Sequence, residues 1–192
     1  MPAQRHWADE TADGVLARPG LHRISTGISP SGPIHVGNLR ETLTGDVIAR
    51  VLRERHSEVR LEFIADDFDP LRRVYPFLDP AVYAPLVGRP LSEIPCPCGA
   101  HVSYARHFLD PYLGTLAQLA IELHLESGSE LYKTGRMNGA IVKALEARDR
   151  IASILQVLTG KTPDAGWSPF NPICAACRRL TTTSVVGWSA AE

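Results

Sequence analysis

The stretch Gly27-Ile28-Ser29-Pro30-Ser31-Gly32-Pro33-Ile34-His35-Val36-Gly37-Asn38 collects the parts from which proteins build a site for an anion such as phosphate. Glycine lets a ligand approach the backbone, and a helix opening at Val36 would aim unpaired N–H groups and a partial positive charge at it. His35 and Asn38 add side-chain donors. Neither familiar phosphate fingerprint is present. Gly27-x4-Gly32 has the spacing of a P-loop start, but Pro33-Ile34 stands where its Lys-Ser/Thr pair belongs, and G-x-G-x-x-G does not occur. A Gly/Pro-rich turn capping a helix, with His35 a satisfied surface histidine, accounts for the same spacing, so the residues alone leave both readings open.

Two further groups bear chemistry. Asp66, Asp67 and Asp69 follow an apolar run and so stand at the carboxyl end of an expected strand, where α/β sheets hold ligands. Acids there would complex Mg²⁺, orient loops or pair with an ammonium; for Asp69, followed by Pro70, the favoured reading is helix capping with proline at N1. In Cys96-Pro-Cys98-Gly-Ala-His101-Val-Ser-Tyr-Ala-Arg-His107, four soft or imidazole donors fall within twelve positions, and Zn²⁺ takes such ligands tetrahedrally. A zinc site is the expectation, reduced metal-free thiols the alternative. Cys174-x-x-Cys177 supplies only two of four ligands, so exposed thiols compete evenly with a metal there.

The elements that must position these groups follow from periodicity. Residues 1–19 read as an N-terminal leader or a short helix lying on the domain. LHRISTG, from Leu21, reads as a strand running into the loop, and Val36 to His56 as a helix with Leu39, Leu43, Val47, Ile48, Val51 and Leu52 on its apolar face. Val59 to Ala65 reads as a strand buried on both faces. Pro111 to Ser127 has helical spacing, Glu130 to Lys133 reads as a short strand, and Met137 to Leu158 as one closing helix. Strands alternating with helices imply a parallel α/β sheet. Residues 20–75 and 111–160 would then be two parts of one nucleotide-binding domain, interrupted by a Pro-rich insertion at 76–110 that holds the candidate zinc site. Residues 161–192, with the β-prone TTTSVVGW after the second cysteine pair, read as an incomplete zinc-ribbon-like segment.

Composition bounds these readings. In 192 residues, 44% hydrophobic and 21% charged usage suits one packed domain with a small appendage and excludes disorder along the whole chain. A formal net charge of −1 provides no global positive field for nucleic acid, although a local basic patch is invisible to that sum. The longest apolar stretch, Leu116 to Leu125, is interrupted by Gln118, Glu122 and His124 and falls short of the ~20 residues a membrane span needs. The start has no signal-peptide core, so a soluble cytoplasmic protein with no membrane partner is expected, in which close cysteine pairs mean metal rather than disulfide.

TGISPSGPIHVGNLRETLTGD resembles the signature of class I lysyl-tRNA synthetases, with His35-Val-Gly37-Asn38 in the place of the His-x-Gly-His/Asn element that first grips ATP. ADDFDPLRRVYPFL, VGRPLSEIP, HVSYARHF, the stretch Tyr132-Lys133-x-Gly135 with its following helix, and PICAACRRLTTTSVVGW resemble the same family in the same order, from Leu21 to Trp188. The resemblance implies a Rossmann-like parallel sheet of the class I aminoacyl-tRNA synthetase type. It also implies an activity in which the carboxylate of L-lysine attacks the α-phosphorus of ATP, pyrophosphate leaves, and the aminoacyl group passes to tRNA(Lys). His35 and Asn38 would donate to phosphate and transition state. Gly27, Ser29, Pro30, Ser31, Gly32, Pro33, Ile34 and Val36 would shape the pocket, Gly37 would admit adenine and ribose, and Asp66 and Asp67 would face substrate or Mg²⁺.

The chain departs from the family at two metal positions: the family has Asp where Cys96 stands and Cys where Ala100 stands, and Cys98 would replace the lost ligand. In the family a second cysteine pair follows the one at Cys174 and Cys177. The Lys-rich KMSKS-type loop that grips the triphosphate has no counterpart, since the three lysines Lys133, Lys143 and Lys161 form no cluster. The resemblance therefore covers an N-terminal portion of a longer enzyme, with three readings open: a synthetase portion completed by a further segment or partner chain, a paralogue that adenylates an amino acid for another pathway, or a non-catalytic interaction module.

Overall fold

The computed structural model describes residues 5–164 and 166–189. The first four and last three residues of the expected leader and C-terminal segments lie outside the described residues. Two apolar runs and one short alternating run become one parallel sheet of order β1-β2-β3: β1 at His22–Ile28, β2 at Val59–Ala65 and β3 at His124–Ser127. The sheet belongs to a unit formed by the residues before Phe68 together with Pro95–Gly128. Its core is Leu61, Phe63 and Ala65 of β2 against Ala49, Leu109, Tyr112, Leu116 and Ile121. Strand β2 was expected to be buried on both faces; alternate residues are buried, whereas Glu62 and Ile64 on the opposite face are half-buried and Arg60 is exposed.

Helix α1 spans Trp7–Leu16 and α2 spans Val36–Glu54. Arg55, just past α2, pairs with Asp9 at 2.6 Å and with Asp13, so the expected N-terminal helix does lie on the domain. The buried stripe of α2 is not the large apolar one that periodicity suggests. It consists of Thr42, Gly45, Asp46, Ala49 and Leu52, while Leu43 remains 37% exposed and Val36 81%. The cause is close approach to the sheet: a Cβ on Gly45 would stand 2.8 Å from Thr26 Cγ2 and 3.1 Å from Leu61 Cδ1. Only small side chains fit there. Thr42 pairs with Tyr112 Oη at 2.8 Å, and Asp46 accepts from Arg50 Nε at 2.7 Å through Oδ2, while its buried Oδ1 has no hydrogen-bond partner.

The segment expected as one helix from Pro111 to Ser127 divides differently. Ser103 Oγ accepts from Arg106 N–H at 3.3 Å and starts the fourth helix of the chain at Tyr104, and this helix runs to Gln118 with Pro111 inside it. Ala120 then takes a left-handed conformation (φ 53°), and Ile121, Leu123 and Leu125 alternate into β3 beside β2. The following helix, Gly128–Lys133, replaces the short strand expected at Glu130 to Lys133. The expected closing helix is two, Asn138–Glu146 and Arg148–Thr159, parted at Ala147 (φ −90°, ψ 11°). In chain order these four are α4 to α7, after the short α3, Pro80–Tyr83.

A second unit comprises Phe68–Ile94 and the residues from Ser129 onward. No helix begins at Asp69-Pro70. Pro70 instead bridges Pro90, and Asp69 C=O accepts from Leu91 N–H at 2.9 Å, because Leu71 and Leu91 are both buried at this pairing. The expected cap-and-proline pattern is realised ten residues later, where Asp79 Oδ1 caps Ala81 N–H at 2.9 Å and Pro80 opens α3. The β-prone TTTSVVGW forms no strand among the described residues; just before it, Leu180 N–H donates to Gly88 C=O at 2.8 Å. Glu93 takes hydrogen bonds from Arg178 Nε at 3.1 Å and Nη2 at 2.6 Å and lies 3.4 Å from Lys133 Nζ. Burial alone would raise its carboxyl, but these cations outweigh that and hold it below its ordinary value. Among the described residues no helix is long and apolar enough to cross a membrane.

Two measurements check this packing. Gly45→Val overfills the contact between α2 and the sheet and is expected to cost about 1–3 kcal/mol in urea unfolding; a variant as stable as the parent would refute the close approach. Glu93 is depressed, so its contribution is present above the unfolded carboxyl value of 4.5 and is lost as pH falls through it towards the lower folded value. Glu93→Gln should therefore flatten the acid limb of stability between about pH 5 and about pH 3, and identical acid slopes in parent and variant would count against the triad.

Candidate functional site

The three strands end on one row, since Ile28 pairs with Ala65 and Ala65 with Ser127. Everything after that row projects from the carboxyl edge of the sheet, where parallel sheets hold ligands. The ladder continues one step beyond the strands, with Asp66 N–H donating to Ile28 C=O at 2.8 Å. Asp67 is buried, and its Oδ2 accepts from the Ser127 hydroxyl at 2.8 Å, tying the end of β2 to the end of β3. Asp66 is exposed beside it. The two carboxylates that sequence spacing left open thus differ: Asp67 braces the sheet edge, and Asp66 faces solvent next to the loop that leaves β1.

That loop is anchored by Pro30, which is fully buried, and by the Ser31 carbonyl, which accepts from Tyr104 Oη at 2.7 Å. His35 is the N-cap of α2. Its Nδ1 accepts from Gly37 N–H at 3.0 Å, and Asn38 Oδ1 returns to His35 N–H at 3.2 Å, a reciprocal capping box. A ring nitrogen that accepts carries no proton, so the neutral imidazole bears its hydrogen on Nε2, as a donor. Asn38 spends its carbonyl on the cap and keeps its NH₂ as donor. Gly37 is required by this arrangement: a Cβ there would lie 2.8 Å from His35 Cε1 and 2.9 Å from Nδ1. Gly27 is equally confined, since its Cβ would meet the Ile64 carbonyl oxygen at 2.5 Å, and its N–H donates to Glu41 Oε1 at 3.3 Å. Helix terminus, imidazole and amide together form a neutral donor set for an oxyanion.

Cys96, Cys98, His101 and His107 converge, their donor atoms all within 4.8 Å of one another. The two Sγ atoms are 3.3 Å apart, and the sulfur to Nδ1 distances are 3.4 and 3.4 Å from Cys96 and 3.5 and 3.2 Å from Cys98. Zinc bonds of about 2.3 Å to sulfur and about 2.0 Å to nitrogen give edges of about 3.5 Å from sulfur to nitrogen and about 3.8 Å between sulfurs. The sulfur–nitrogen distances lie close to this, and the sulfurs need only move apart by about 0.5 Å for the set to hold that ion. Burial would raise the Cys96 thiol, but hydrogen bonds from Cys98 and His101 outweigh it and bring it down to about 5, the thiolate a metal needs. Four protein donors would fill a tetrahedral sphere, the arrangement of a structural rather than a catalytic ion.

Cys174 and Cys177 occupy a turn closed by Cys174 N–H to Arg179 C=O and Arg178 N–H to Cys174 C=O, both 2.9 Å. The Thr182 hydroxyl, the Arg179 backbone and Cys174 hold the Cys177 thiol at about 7. No third His, Cys, Asp or Glu joins this pair among the described residues. The structure adds three residues with no sequence signal at the site: Tyr104 on the loop, Ser127 on Asp67 and Glu41 on Gly27. A cavity of about 490 Å³ separates Ile34 and His35 on one wall from His101, His107 and Phe108 on the other.

Comparison with known proteins gives a consistent result. Residues 5–192 match the family described as tRNA synthetases class I (K). The chain is similar to the lysine–tRNA ligase of Methanosarcina barkeri, with 50% identity over 95% of this chain and 34% of the relative. It is 46% identical to that of Archaeoglobus fulgidus over 95% of this chain and 37% of the relative, and 44% identical to that of Methanocaldococcus jannaschii over 92% and 34%. The chain thus spans about a third of the length of the curated relatives it matches.

For the cluster, elemental analysis of purified protein is expected to find about one zinc per chain, and Cys98→Ser to lower zinc affinity at least about tenfold. Metal-free protein that also ignores added zinc would eliminate this ligand set.

Proposed function

The chain belongs to the class I (K) family of tRNA synthetases, and from that premise we propose that it is the nucleotide-holding portion of a lysine–tRNA ligase, with ATP seated where β1 hands over to α2. The observation that carries this reading is the His35–Gly37–Asn38 cap at the carboxyl edge of the parallel sheet. In the proposed reaction a carboxylate oxygen of L-lysine attacks the α-phosphorus of ATP, the bond from that phosphorus to the bridging oxygen breaks, and pyrophosphate departs. A terminal ribose hydroxyl of tRNA(Lys) then attacks the lysyl carbonyl, loses its proton, and releases AMP.

The chain's own residues position and stabilise rather than react covalently. His35 Nε2–H and the Asn38 amide donate to phosphate oxygens as negative charge builds on them. The α2 terminus adds its partial positive charge without reorganisation. Gly27, Ser29, Pro30, Ser31, Gly32, Pro33, Ile34 and Val36 shape the wall, and Gly37, by making room for the imidazole, leaves the helix face open to adenine and ribose. Asp66 is the carboxylate placed to orient Mg²⁺ or the lysine ammonium, with Asp67 holding it from behind. Zinc on Cys96, Cys98, His101 and His107 supplies structure to the turn that opens α4. We read the Cys174–Arg179 turn as one half of a zinc ribbon whose second pair comes from elsewhere in the enzyme or a partner chain. On this reading the reaction is a cytoplasmic one.

ATP–pyrophosphate exchange with each amino acid tests the proposal. Exchange with lysine is expected, and His35→Ala should lower ATP affinity or exchange by about tenfold or more, about 1.4 kcal/mol. An unchanged value in a folded variant would remove His35 from the site. Exchange with a different amino acid would identify a paralogue, and absence of both exchange and ATP binding would leave an interaction module.

A further inference from the structure

One buried hydroxyl joins the metal cluster to the phosphate loop. Tyr104 is fully buried and donates to the Ser31 carbonyl at 2.7 Å, across 73 residues of sequence. It is the first residue of α4, three positions after His101 and three before His107, so its backbone lies inside the span that the candidate ligands enclose. Its ring packs edge-on against Phe108 at 5.0 Å, and Phe108 packs against His107 at 4.6 Å. Ser31 lies in the middle of the loop, next to the buried Pro30 and four residues before His35. Two turns further along α4, Tyr112 makes a buried hydroxyl contact to Thr42 of α2 at 2.8 Å. The first tyrosine holds the loop, the second the helix behind it.

We propose that Tyr104 is a positioning residue through which an ion on Cys96, Cys98, His101 and His107 orders the phosphate loop, so that metal and nucleotide bind cooperatively. The nucleotide half of this statement rests on the proposed ATP site; the loop-ordering half does not. The turn from Cys96 to Ser103 has no regular secondary structure; Cys98 is exposed, and Cys96, His101 and His107 are half-buried. A segment with so little buried apolar surface opens locally at low cost. Four bonds from one ion close it and fix the start of α4, which leaves the Tyr104 hydroxyl a single place to point. A nucleotide then meets a loop whose ordering entropy is already spent, and linkage requires that it tighten the metal by the same factor.

The test uses the 192-residue chain, parent and two variants, stripped of metal and then given one equivalent of zinc. Hydrogen exchange at the amides of Ser29, Ser31, Gly32 and Ile34 is read first. Zinc should slow it by about fivefold or more in the parent and in Tyr112→Phe, and leave it unchanged in Tyr104→Phe. Tyr112→Phe removes the same atom from a core position of the same helix, so it controls for lost stability. In a second arm, zinc should tighten ATP about fivefold or more in the parent and Tyr112→Phe only. Zinc that fails to bind, or binds without slowing loop exchange in the parent, overturns the proposal, as does protection that survives in Tyr104→Phe. ATP binding that is indifferent to zinc overturns the cooperative half. Loop protection in a chain that binds no ATP would sink the ATP site and leave the Tyr104 link standing.

Discussion

The shared ending of three parallel strands is the constraint from which the site follows. Because Ile28, Ala65 and Ser127 stand on one row, the loop after β1, the carboxylates after β2 and the turn after β3 leave the sheet at the same level. A one-residue slip of β2 would turn Leu61, Phe63 and Ala65 to the other face and carry Asp67 away from Ser127. Register therefore links the core to the chemistry. The close seat of α2, set by Gly45, completes the geometry, since it brings the helix N-terminus down onto the same edge.

The metal cluster belongs to this frame by a different route. It lies in the turn before α4, and α4 supplies Leu109, Tyr112 and Leu116 to the core that covers β2. A closed set of four ligands asks nothing of substrate. A bound ion would fix the first turn of a helix whose cap is otherwise Ser103. With Cys at 96 and 98 and Ala at 100, Cys96, Cys98, His101 and His107 converge without any ligand from position 100.

How much of this was legible in the sequence depended on how far each interaction reaches along the chain. Strands β1 and β2 and helix α2 were readable because their apolar periods are local and strong. The fourth helix was placed too late because its start, Tyr104 to His107, falls within the stretch that the candidate ligands mark out, and β3 was missed although Ile121, Leu123 and Leu125 alternate, because the helix-like spacing of Leu113, Leu116 and Ala117 ran into it. Asp69-Pro70 carries the same local cap signature as Asp79-Pro80; burial of Leu71 decides against the first, and burial is not a local property. The loop and the cluster stood out because scarce residue types crowd within a dozen positions. Tyr104, Ser127 and Glu41 did not, since they act across 73, 60 and 14 residues.

The imidazole of His35 occupies the space a side chain at position 37 would fill. The two residues are therefore a single heritable unit: the histidine has a defined tautomer only while its neighbour two places on remains bare. Any side chain at 37 would push the imidazole out of its place, with His35 itself unchanged. The cap at this helix start can be lost through either residue, and the less conspicuous one has no side chain at all.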